Sequence, residues 1–220
     1  MDFLERFLMM ENKEPAFWEN YLSEEPICKD IISNFHNIKN DVLKFKEKHP
    51  KFFVDYPKFK VTNPDTQEPE RLYQNNWKVT AFSKFDSDYN EVDRVGKKLG
   101  DNVQSLIERY VKRDIPITYN LVQKYNLTNV FVSVLSPGSI IRPHQGHSKK
   151  YMRIHMGLIC DPECKITVDT ETKTWTEGKI LAFKDGGPYY HSVVHNGTKD
   201  RYIFSFDLSL EYLSPYFTNY

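Results

Sequence analysis

The sequence predicts a mainly β fold with α-helices, in which a double-stranded β-helix, or jelly roll, is buttressed by N-terminal helices. Two observations predict it. Before Asn126, apolar residues recur at the three- and four-residue steps of amphipathic helices, whereas after Asn126 short runs of β-forming residues alternate with turn residues. These turns fall where antiparallel strands would connect, which favours a jelly roll over a parallel sheet.

Two helices are predicted in the first half of the chain. The first spans residues 26–48 and starts at Pro26, a residue suited to the first turn of a helix. The second spans residues 91–113 and is weakened by Gly96 and Gly100. Between them lies a region rich in proline, aromatic and polar residues, which predicts loops around one short strand at residues 77–82.

Six short strands are predicted in the second half of the chain, at residues 130–135, 151–159, 165–169, 179–183, 191–194 and 201–208. Turn residues separate them at Pro137-Gly138, Asp161-Pro162, Gly178, Gly186-Gly187-Pro188 and Asn196-Gly197. Because glycine and proline favour tight reversals of the chain, these breaks indicate short connections between antiparallel neighbours.

The composition limits the class of protein. The 220 residues contain no low-complexity linker or internal repeat, so one domain is expected over residues 1–220, with a mostly helical support region at 1–125 and a β-helix core at 126–212. Thirty basic residues balance thirty acidic ones, so the overall charge does not favour nucleic acid as a partner. Cys28, Cys160 and Cys164 are an odd number, which predicts free thiols rather than a disulfide framework.

The sequence also contains no sign of a membrane or secretory segment. No apolar run approaches the roughly 20 residues that span a bilayer. Asp2, Glu5 and Arg6 interrupt the first ten residues, which breaks the apolar core that a signal peptide requires. We therefore expect a cytoplasmic protein without a membrane partner.

The histidines are concentrated in the second half of the chain, where five of the seven occur, at His144, His147, His155, His191 and His195. Neutral imidazole is the commonest metal ligand, and histidines from separate strands often serve one site. A mononuclear non-haem Fe(II) oxygenase uses two histidines and a carboxylate, but the residue two positions after His144 is Gly146. Spacing alone therefore indicates a metal site without identifying the metal.

Two arginines belong to the polar faces of predicted strands. Arg153 and His155 share a face of the strand at 151–159, and Arg201 lies opposite the bulkiest residues of the strand at 201–208. Two guanidinium groups could clamp a dianion, with the histidine as a further donor. Taken one at a time, such residues are more often ordinary surface arginines and a core histidine, and the pattern leaves that alternative open.

Several segments resemble, in order and spacing, the catalytic domain of aspartyl/asparaginyl β-hydroxylases. They are Val-Ser-Val-Leu-Ser-Pro-Gly at 132–138, Pro-His-Gln-Gly at 143–146, Met-Arg-Ile-His-Met-Gly-Leu at 152–158, Glu-Thr-Lys-Thr-Trp-Thr-Glu-Gly-Lys at 171–179, and His191 followed ten residues later by Arg201. The likeness is dense over residues 130–210 and fainter around Trp77. It accounts for Gly146, because these hydroxylases carry His-x-Gly and bind iron through two histidines.

The resemblance implies a cupin-like double-stranded β-helix with Fe(II) held by His144 and His191. It implies 2-oxoglutarate as cosubstrate and O₂ as oxidant, with succinate and CO₂ as coproducts. Arg201 and Ser133 are expected at the distal carboxylate of the cosubstrate, and Arg153 and His155 at the end nearer the metal. Water is expected at the third ligand position, and the alternative is Asp185, the nearest carboxylate.

The remaining candidates receive lesser roles. His195 follows His191 by four residues and is expected at the rim of the site or on the surface, and the same holds for His147. Trp175 is expected to pack in the core or a hairpin rather than to contact substrate.

The leading hypothesis is hydroxylation of the β-carbon of aspartyl or asparaginyl residues in a polypeptide. One alternative is the same chemistry on a small-molecule substrate, such as a lipid-linked acyl chain or a free amino acid. Another is a noncatalytic β-barrel that binds a metal or an anion.

Overall fold

Two antiparallel sheets form the centre of the fold in the computed structural model, which describes residues 14–22, 24–83, 85, 103–146 and 148–217. The strands are β1 (Val54–Asp55), β2 (Lys60–Thr62), β3 (Pro69–Arg71), β4 (Tyr73–Gln74), β5 (Trp77–Ala81), β6 (Thr128–Leu135), β7 (Ile140–His144), β8 (Tyr151–Ile159), β9 (Cys164–Val168), β10 (Glu171–Thr174), β11 (Ile180–Phe183), β12 (His191–His195) and β13 (Arg201–Ser209). One sheet has the order β1-β5-β6-β13-β8-β11 and the other β10-β9-β12-β7-β4, while β2 and β3 form a separate hairpin. The predicted jelly-roll class is therefore confirmed.

Side-chain alternation divides the six-stranded sheet into an outer and an inner face. Even-numbered residues of β6, β8 and β13, among them Val132, Ile154 and Phe204, pack in one apolar cluster with the helices. Odd-numbered residues face the other way, and Leu135 and Ile203 join a second cluster with residues of the five-stranded sheet. The helices thus cover one face of this sheet, as the sequence predicts, and the polar residues of β8 and β13 point between the two sheets.

The helices are α1 (Pro26–Ser33), α2 (Phe35–Lys48), α3 (Val103–Leu106), α4 (Lys112–Asp114), α5 (Pro116–Lys124) and α6 (Leu210–Leu213). The prediction of one helix over residues 26–48 is wrong, because the helix breaks at Asn34. The side chains of Ser33 and Asn34 both donate to the carbonyl oxygen of Asp30, at 2.8 and 2.9 Å. These local bonds compete with the helical ladder for that carbonyl and end the first helix there.

The second predicted helix, at residues 91–113, lies partly outside the described residues. Its described part contains α3, a π-helical turn at Ile107–Val111 and α4. The sequence analysis missed α5, which is tied to α2 by the buried carboxylate of Asp41. Thr118 donates to that carboxylate from its backbone nitrogen and its hydroxyl, at 3.0 and 2.8 Å. Among the described residues, no helix has both the length and the apolar character needed to cross a bilayer.

The β structure begins earlier in the chain than the predicted boundary at residue 126. Strand β5 confirms the short strand predicted at residues 77–82, and together with β1 it extends the six-stranded sheet. The short strand β4 pairs with β7 at the edge of the other sheet. Strands of only two residues, such as β1 and β4, give no periodicity that a sequence can display, and their pairing with distant strands fixes them instead. The strands β7 and β10 were also missed, because one contains Pro143 and the other is wholly polar.

Cys28, Cys160 and Cys164 are free thiols, as predicted. Burial raises the pKa of Cys160 to about 12 and that of Cys164 to about 11, so both thiols are protonated near neutral pH. The residues therefore pack as small apolar groups around the turn that connects β8 to β9.

Candidate active site

One cavity between the two sheets is lined by all six residues that the sequence analysis selected, namely Ser133, His144, Arg153, His155, His191 and Arg201. They come from strands β6, β7, β8, β12 and β13 and from both sheets. Apolar side chains such as Phe131, Phe183 and Ile203 complete the walls. The fold therefore places a cationic and imidazole-rich pocket where the two sheets meet.

A β-bulge brings the two candidate metal ligands together. His144 is the last residue of β7 and His191 the first of β12, and their Cα atoms are partners in the sheet. One residue lies between His191 and Val193, whereas two lie between His144 and Ile141, the partner of Val193. The extra residue re-aims His144 into the cavity, because a bulge shifts the alternation of side chains. The imidazole centroids are 4.2 Å apart.

Both imidazoles are in a state suited to metal binding. Nδ1 of His144 lies 2.7 Å from the carbonyl oxygen of Arg142, an acceptor, so Nδ1 donates and the lone pair is on Nε2. The pKa of His191 lies well below its usual value because the ring is buried, with the nearby His144 and Arg153 adding to the effect. His191 is therefore neutral at physiological pH.

Arg201 is a buried cation without a carboxylate partner among the described residues. Its side chain is 2% exposed, Nη2 donates to the hydroxyl oxygen of Ser133 at 3.1 Å, and the guanidinium stacks 4.7 Å from the centroid of Trp175. Trp77 also donates to the Ser133 hydroxyl oxygen, at 2.9 Å. Burial lowers the pKa of Arg201, and its Nε has no hydrogen-bond partner. Buried charges are normally paired, so this position calls for an anion.

Arg153 differs from Arg201, because two carboxylates already surround it. Its Nε and Nη2 donate to Oδ1 and Oδ2 of Asp207 at 2.9 and 3.1 Å, and its Nη1 lies 3.1 Å from Oδ1 of Asp185. From the strand faces alone, both arginines were expected to bind an anion, and the family resemblance placed them at opposite ends of the cosubstrate. Among the described residues, Arg201 has no carboxylate partner, whereas Arg153 contacts the carboxylates of both Asp185 and Asp207.

Unpartnered polar atoms occur on three residues that line the cavity and on Ser205 and Trp175, which adjoin His155 and Arg201. Hydrogen-bond partners are missing for Nε of Arg201, Nδ1 of His155, Nδ1 of His191, Oγ of Ser205 and Nε1 of Trp175, although all these atoms are buried. Burial, together with the charges of Arg153 and Arg201, holds the pKa of His155 well below its usual value. Since most buried polar groups in native proteins are hydrogen-bonded, this concentration indicates a cavity shaped for a polar ligand.

The comparison with protein families shows which family the sequence belongs to. Residues 33–210 match the sequence profile described as aspartyl/asparaginyl beta-hydroxylase. The chain belongs to the aspartyl/asparaginyl β-hydroxylase family. This assignment confirms the resemblance seen in the sequence motifs, and it extends the likeness from residues 130–210 to most of the chain.

Individual members of the aspartyl/asparaginyl β-hydroxylase family are similar to different extents. The aspartyl/asparaginyl beta-hydroxylase of Homo sapiens is 36% identical over 107 residues, which cover 46% of this chain and 14% of that protein. The ornithine lipid ester-linked acyl 2-hydroxylase of Rhizobium tropici is 35% identical over 170 residues, which cover 73% of this chain and 57% of that protein. The matches thus span only part of the length of these relatives.

Among solved structures, the cupin domain of Schizosaccharomyces pombe Cnp3 is similar with a TM-score of 0.37 and 10% identity, covering 74% of this chain and 94% of that one. A predicted oxalate decarboxylase from Thermotoga maritima has a TM-score of 0.36 and 10% identity, covering 70% of this chain and 93% of that one.

The His-x-Gly motif of this β-hydroxylase family member has a steric explanation in the structure. A Cβ atom on Gly146 would lie 1.7 Å from Oδ2 and 2.4 Å from Cγ of Asp185. The carboxylate of Asp185 therefore fills the space that a side chain at position 146 would need. In the part of the chain that is described, no set of three or more His, Cys, Asp or Glu side chains is arranged to hold one metal ion.

The lesser candidates lie outside this set or act indirectly. His195 is fully buried rather than at the surface, and it holds a turn through Nε2 with Lys199 and Nδ1 with Gly197. His147 lies outside the described residues. Trp175 is buried, as expected, but its ring also supports Arg201.

Sequence reasoning missed the role of Asp207 altogether and considered Asp185 only as a metal ligand. The only available signal for Asp207 was its place on the same strand face as Arg201.

Proposed function

We propose that this chain is an Fe(II)- and 2-oxoglutarate-dependent dioxygenase that hydroxylates the β-carbon of aspartyl or asparaginyl residues in peptides or proteins. The observation that carries the proposal is the pairing, in one buried cavity, of two facing imidazoles with an arginine that has no carboxylate partner among the described residues. A site for a dication beside a site for a carboxylate is the combination that this cosubstrate requires, because it chelates the metal and carries a second carboxylate at its far end.

The residues present fit Fe(II). His144 and His191 offer two nitrogen ligands, and their ring centroids are 4.2 Å apart, close enough for both imidazoles to hold one ion. Fe(II), once bound with O₂ and 2-oxoglutarate, would supply the oxidation that converts a C–H bond to C–OH while the cosubstrate becomes succinate and CO₂.

Arg201 and Ser133 would bind the distal carboxylate of 2-oxoglutarate. The Ser133 oxygen already accepts hydrogen bonds from Arg201 and Trp77, so its own hydroxyl hydrogen is oriented away from both donors. It can therefore donate to an incoming carboxylate. The guanidinium adds charge in a desolvated position, where its attraction for an anion is much larger than in water.

Arg153 and His155 would stand at the end of the cosubstrate nearer the metal. His155 is buried and unprotonated, so one ring nitrogen can donate a hydrogen bond without adding a positive charge beside Fe(II). The ring packs against Phe183 at a centroid distance of 5.1 Å, which fixes its orientation. Phe131 and Phe183 form apolar walls that exclude water from the reacting centre.

A second candidate function is hydroxylation of a non-peptide substrate, such as a lipid-linked acyl chain. The specific observation in its favour is the Rhizobium tropici relative, whose match covers 73% of this chain, against 46% for the human relative. Both candidates use the same metal and cosubstrate, so they differ only in the product. A peptide substrate gains one oxygen atom on an Asp or Asn residue, whereas an acyl substrate gains it on the acyl chain.

An anaerobic titration tests the proposal without knowledge of the substrate. We expect a visible charge-transfer band when purified protein receives Fe(II) and then 2-oxoglutarate. His191→Ala should abolish the band by removing a ligand, and Arg201→Ala should weaken 2-oxoglutarate binding but leave metal binding intact.

His36→Ala, which removes an exposed histidine from α2, is the matched control and should behave as the wild type. If the wild type gives no band and calorimetry detects no binding of 2-oxoglutarate, the proposal fails, and the alternative of a noncatalytic binding module is favoured.

A further inference from the structure

Asp185 and Asp207 hold opposite edges of the Arg153 guanidinium, but in different ways. Asp207 makes two parallel hydrogen bonds to Nε and Nη2. Asp185 contacts only Nη1, and the same Oδ1 atom lies 3.4 Å from Nε2 of His191. The Asp185 carboxylate therefore bridges an arginine and a candidate metal ligand from inside the cavity, where it is a wall residue.

Asp207 is fixed by its surroundings. It belongs to the central strand β13, where its Cα partner in β8 is Arg153 itself. Its side chain is completely buried, and Oδ2 also accepts a hydrogen bond from the buried amide of Asn129 at 3.0 Å. Removing Asp207 from Arg153 would leave a buried carboxylate without its cation, which is strongly unfavourable.

Asp185 has fewer constraints. It follows β11 in the loop that leads to β12, and its carboxylate has a single contact with Arg153. The backbone around it is anchored, since its carbonyl oxygen accepts a 2.7 Å hydrogen bond from the nitrogen of Gly146. Motion of this carboxylate therefore requires rotation of the side chain and no movement of the loop.

We propose that Asp185 is a built-in competitor for the cosubstrate. In the ligand-free protein its carboxylate occupies the ligand-facing edge of Arg153, and the carboxylate of 2-oxoglutarate nearer the metal displaces it. Asp207 is the positioning residue that keeps Arg153 aimed at the cavity in both states. This inference rests on the proposed function, because it concerns how the same site selects its anion.

A competing role for Asp185 accounts for the presence of a carboxylate in a cavity that is suited to an anion. Nη1 of Arg153 lies in a desolvated pocket, where the Asp185 carboxylate gives it a charged acceptor at 3.1 Å, and contacts of this kind stabilise buried donors. Asp185 satisfies that donor until a ligand arrives. The affinity for 2-oxoglutarate is lower than it would be without Asp185, because part of the binding free energy is used to displace that carboxylate. Any ligand binds more weakly to a protein that must first leave its favoured state.

The test uses two variants that the proposal moves in opposite directions. Asp185→Asn keeps the shape but weakens the contact with Arg153 from a charged to a neutral hydrogen bond. We therefore expect 2-oxoglutarate to bind about tenfold more tightly. Asp207→Asn leaves Arg153 poorly aimed, so affinity should fall about tenfold, and Asp207→Glu should recover part of the loss. Asp65→Asn, at an exposed turn residue, controls for the change in net charge.

Affinity is measured by calorimetry on protein saturated with Mn(II), which supports binding without turnover, and Mn(II) affinity is measured first for every variant. Unchanged or weaker 2-oxoglutarate binding by Asp185→Asn would overturn the competitor role. An effect of Asp207→Asn on unfolding alone, with normal affinity, would overturn the positioning role. Failure of the wild type to bind 2-oxoglutarate at all is a different result, since it removes the proposed function itself.

Discussion

Gly146→Ala is the substitution whose effect follows most directly from the structure. A Cβ atom at this position would lie 1.7 Å from Oδ2, 2.4 Å from Cγ and 3.1 Å from Oδ1 of Asp185. Real Cβ atoms do not approach other atoms so closely, so the carboxylate must leave its position. When it leaves, its 3.1 Å contact with Nη1 of Arg153 is lost as well.

The expected magnitude combines three effects. Overpacking of a well-packed interior costs about 1 to 3 kcal/mol, and loss of a hydrogen bond between charged groups costs about 1.5 to 3 kcal/mol. Replacement of glycine by alanine restricts the unfolded chain, which offsets about 0.5 kcal/mol. Since the rotated carboxylate relieves most of the steric strain, we expect a loss of about 2 to 4 kcal/mol in the free energy of unfolding.

Urea denaturation of the wild type, the two single variants and the double variant tests whether the steric conflict with Asp185 causes the loss of stability. Asp185→Gly removes the carboxylate, so Gly146→Ala made in that background should cost less than about 1 kcal/mol. The difference between the two backgrounds is the coupling between positions 146 and 185. Equal costs in both backgrounds would refute the steric argument and would leave the glycine of the His-x-Gly motif unexplained.

Three further outcomes are expected. The free energy of unfolding should fall as the pH is lowered below about 6.5, because buried neutral His155 resists protonation while the same residue in the unfolded chain accepts the proton. Urea denaturation at a series of pH values measures this effect, and in His155→Gln the free energy of unfolding should depend less steeply on pH. Trp77→Phe should cost about 1 kcal/mol in urea denaturation, because the hydrogen bond to Ser133 is lost. Trp175→Leu should weaken 2-oxoglutarate binding in calorimetry while metal affinity stays unchanged, because Arg201 loses its stacking partner.

The sequence predicts well those features that depend on local alternation. The strand Tyr151–Ile159 has the bounds that the pattern indicates, and its polar residues face the cavity because every second side chain points the same way. The same rule places Arg201 on the inner face of β13. Six candidates selected from motifs and faces therefore line one cavity, although their roles in binding stay predictions.

The sequence does not predict features that depend on how distant strands meet. The β-bulge that aims His144 inward exists only because β7 pairs with β12, and Pro143 conceals β7 from any propensity rule. The bidentate contact between Arg153 and Asp207 joins residues on two strands whose register no local pattern specifies. Charge pairing inside the site is thus a tertiary property, whereas the presence of the charges is a sequence property.

The net charge of the cavity gives a further reason for a carboxylate beside Arg153. Arg153 and Arg201 carry two positive charges, and Asp185 and Asp207 carry two negative ones, so these four side chains have no net charge although both carboxylates contact Arg153. A metal dication and a dianionic cosubstrate add no net charge, so binding both preserves the balance. Two unit charges about 4 Å apart interact by about 4 kcal/mol at an effective dielectric constant of 20, so an unbalanced arginine in this cavity would be costly. A carboxylate at Asp185 that yields to the cosubstrate stabilises Arg153 before binding and lets the same guanidinium bind the ligand.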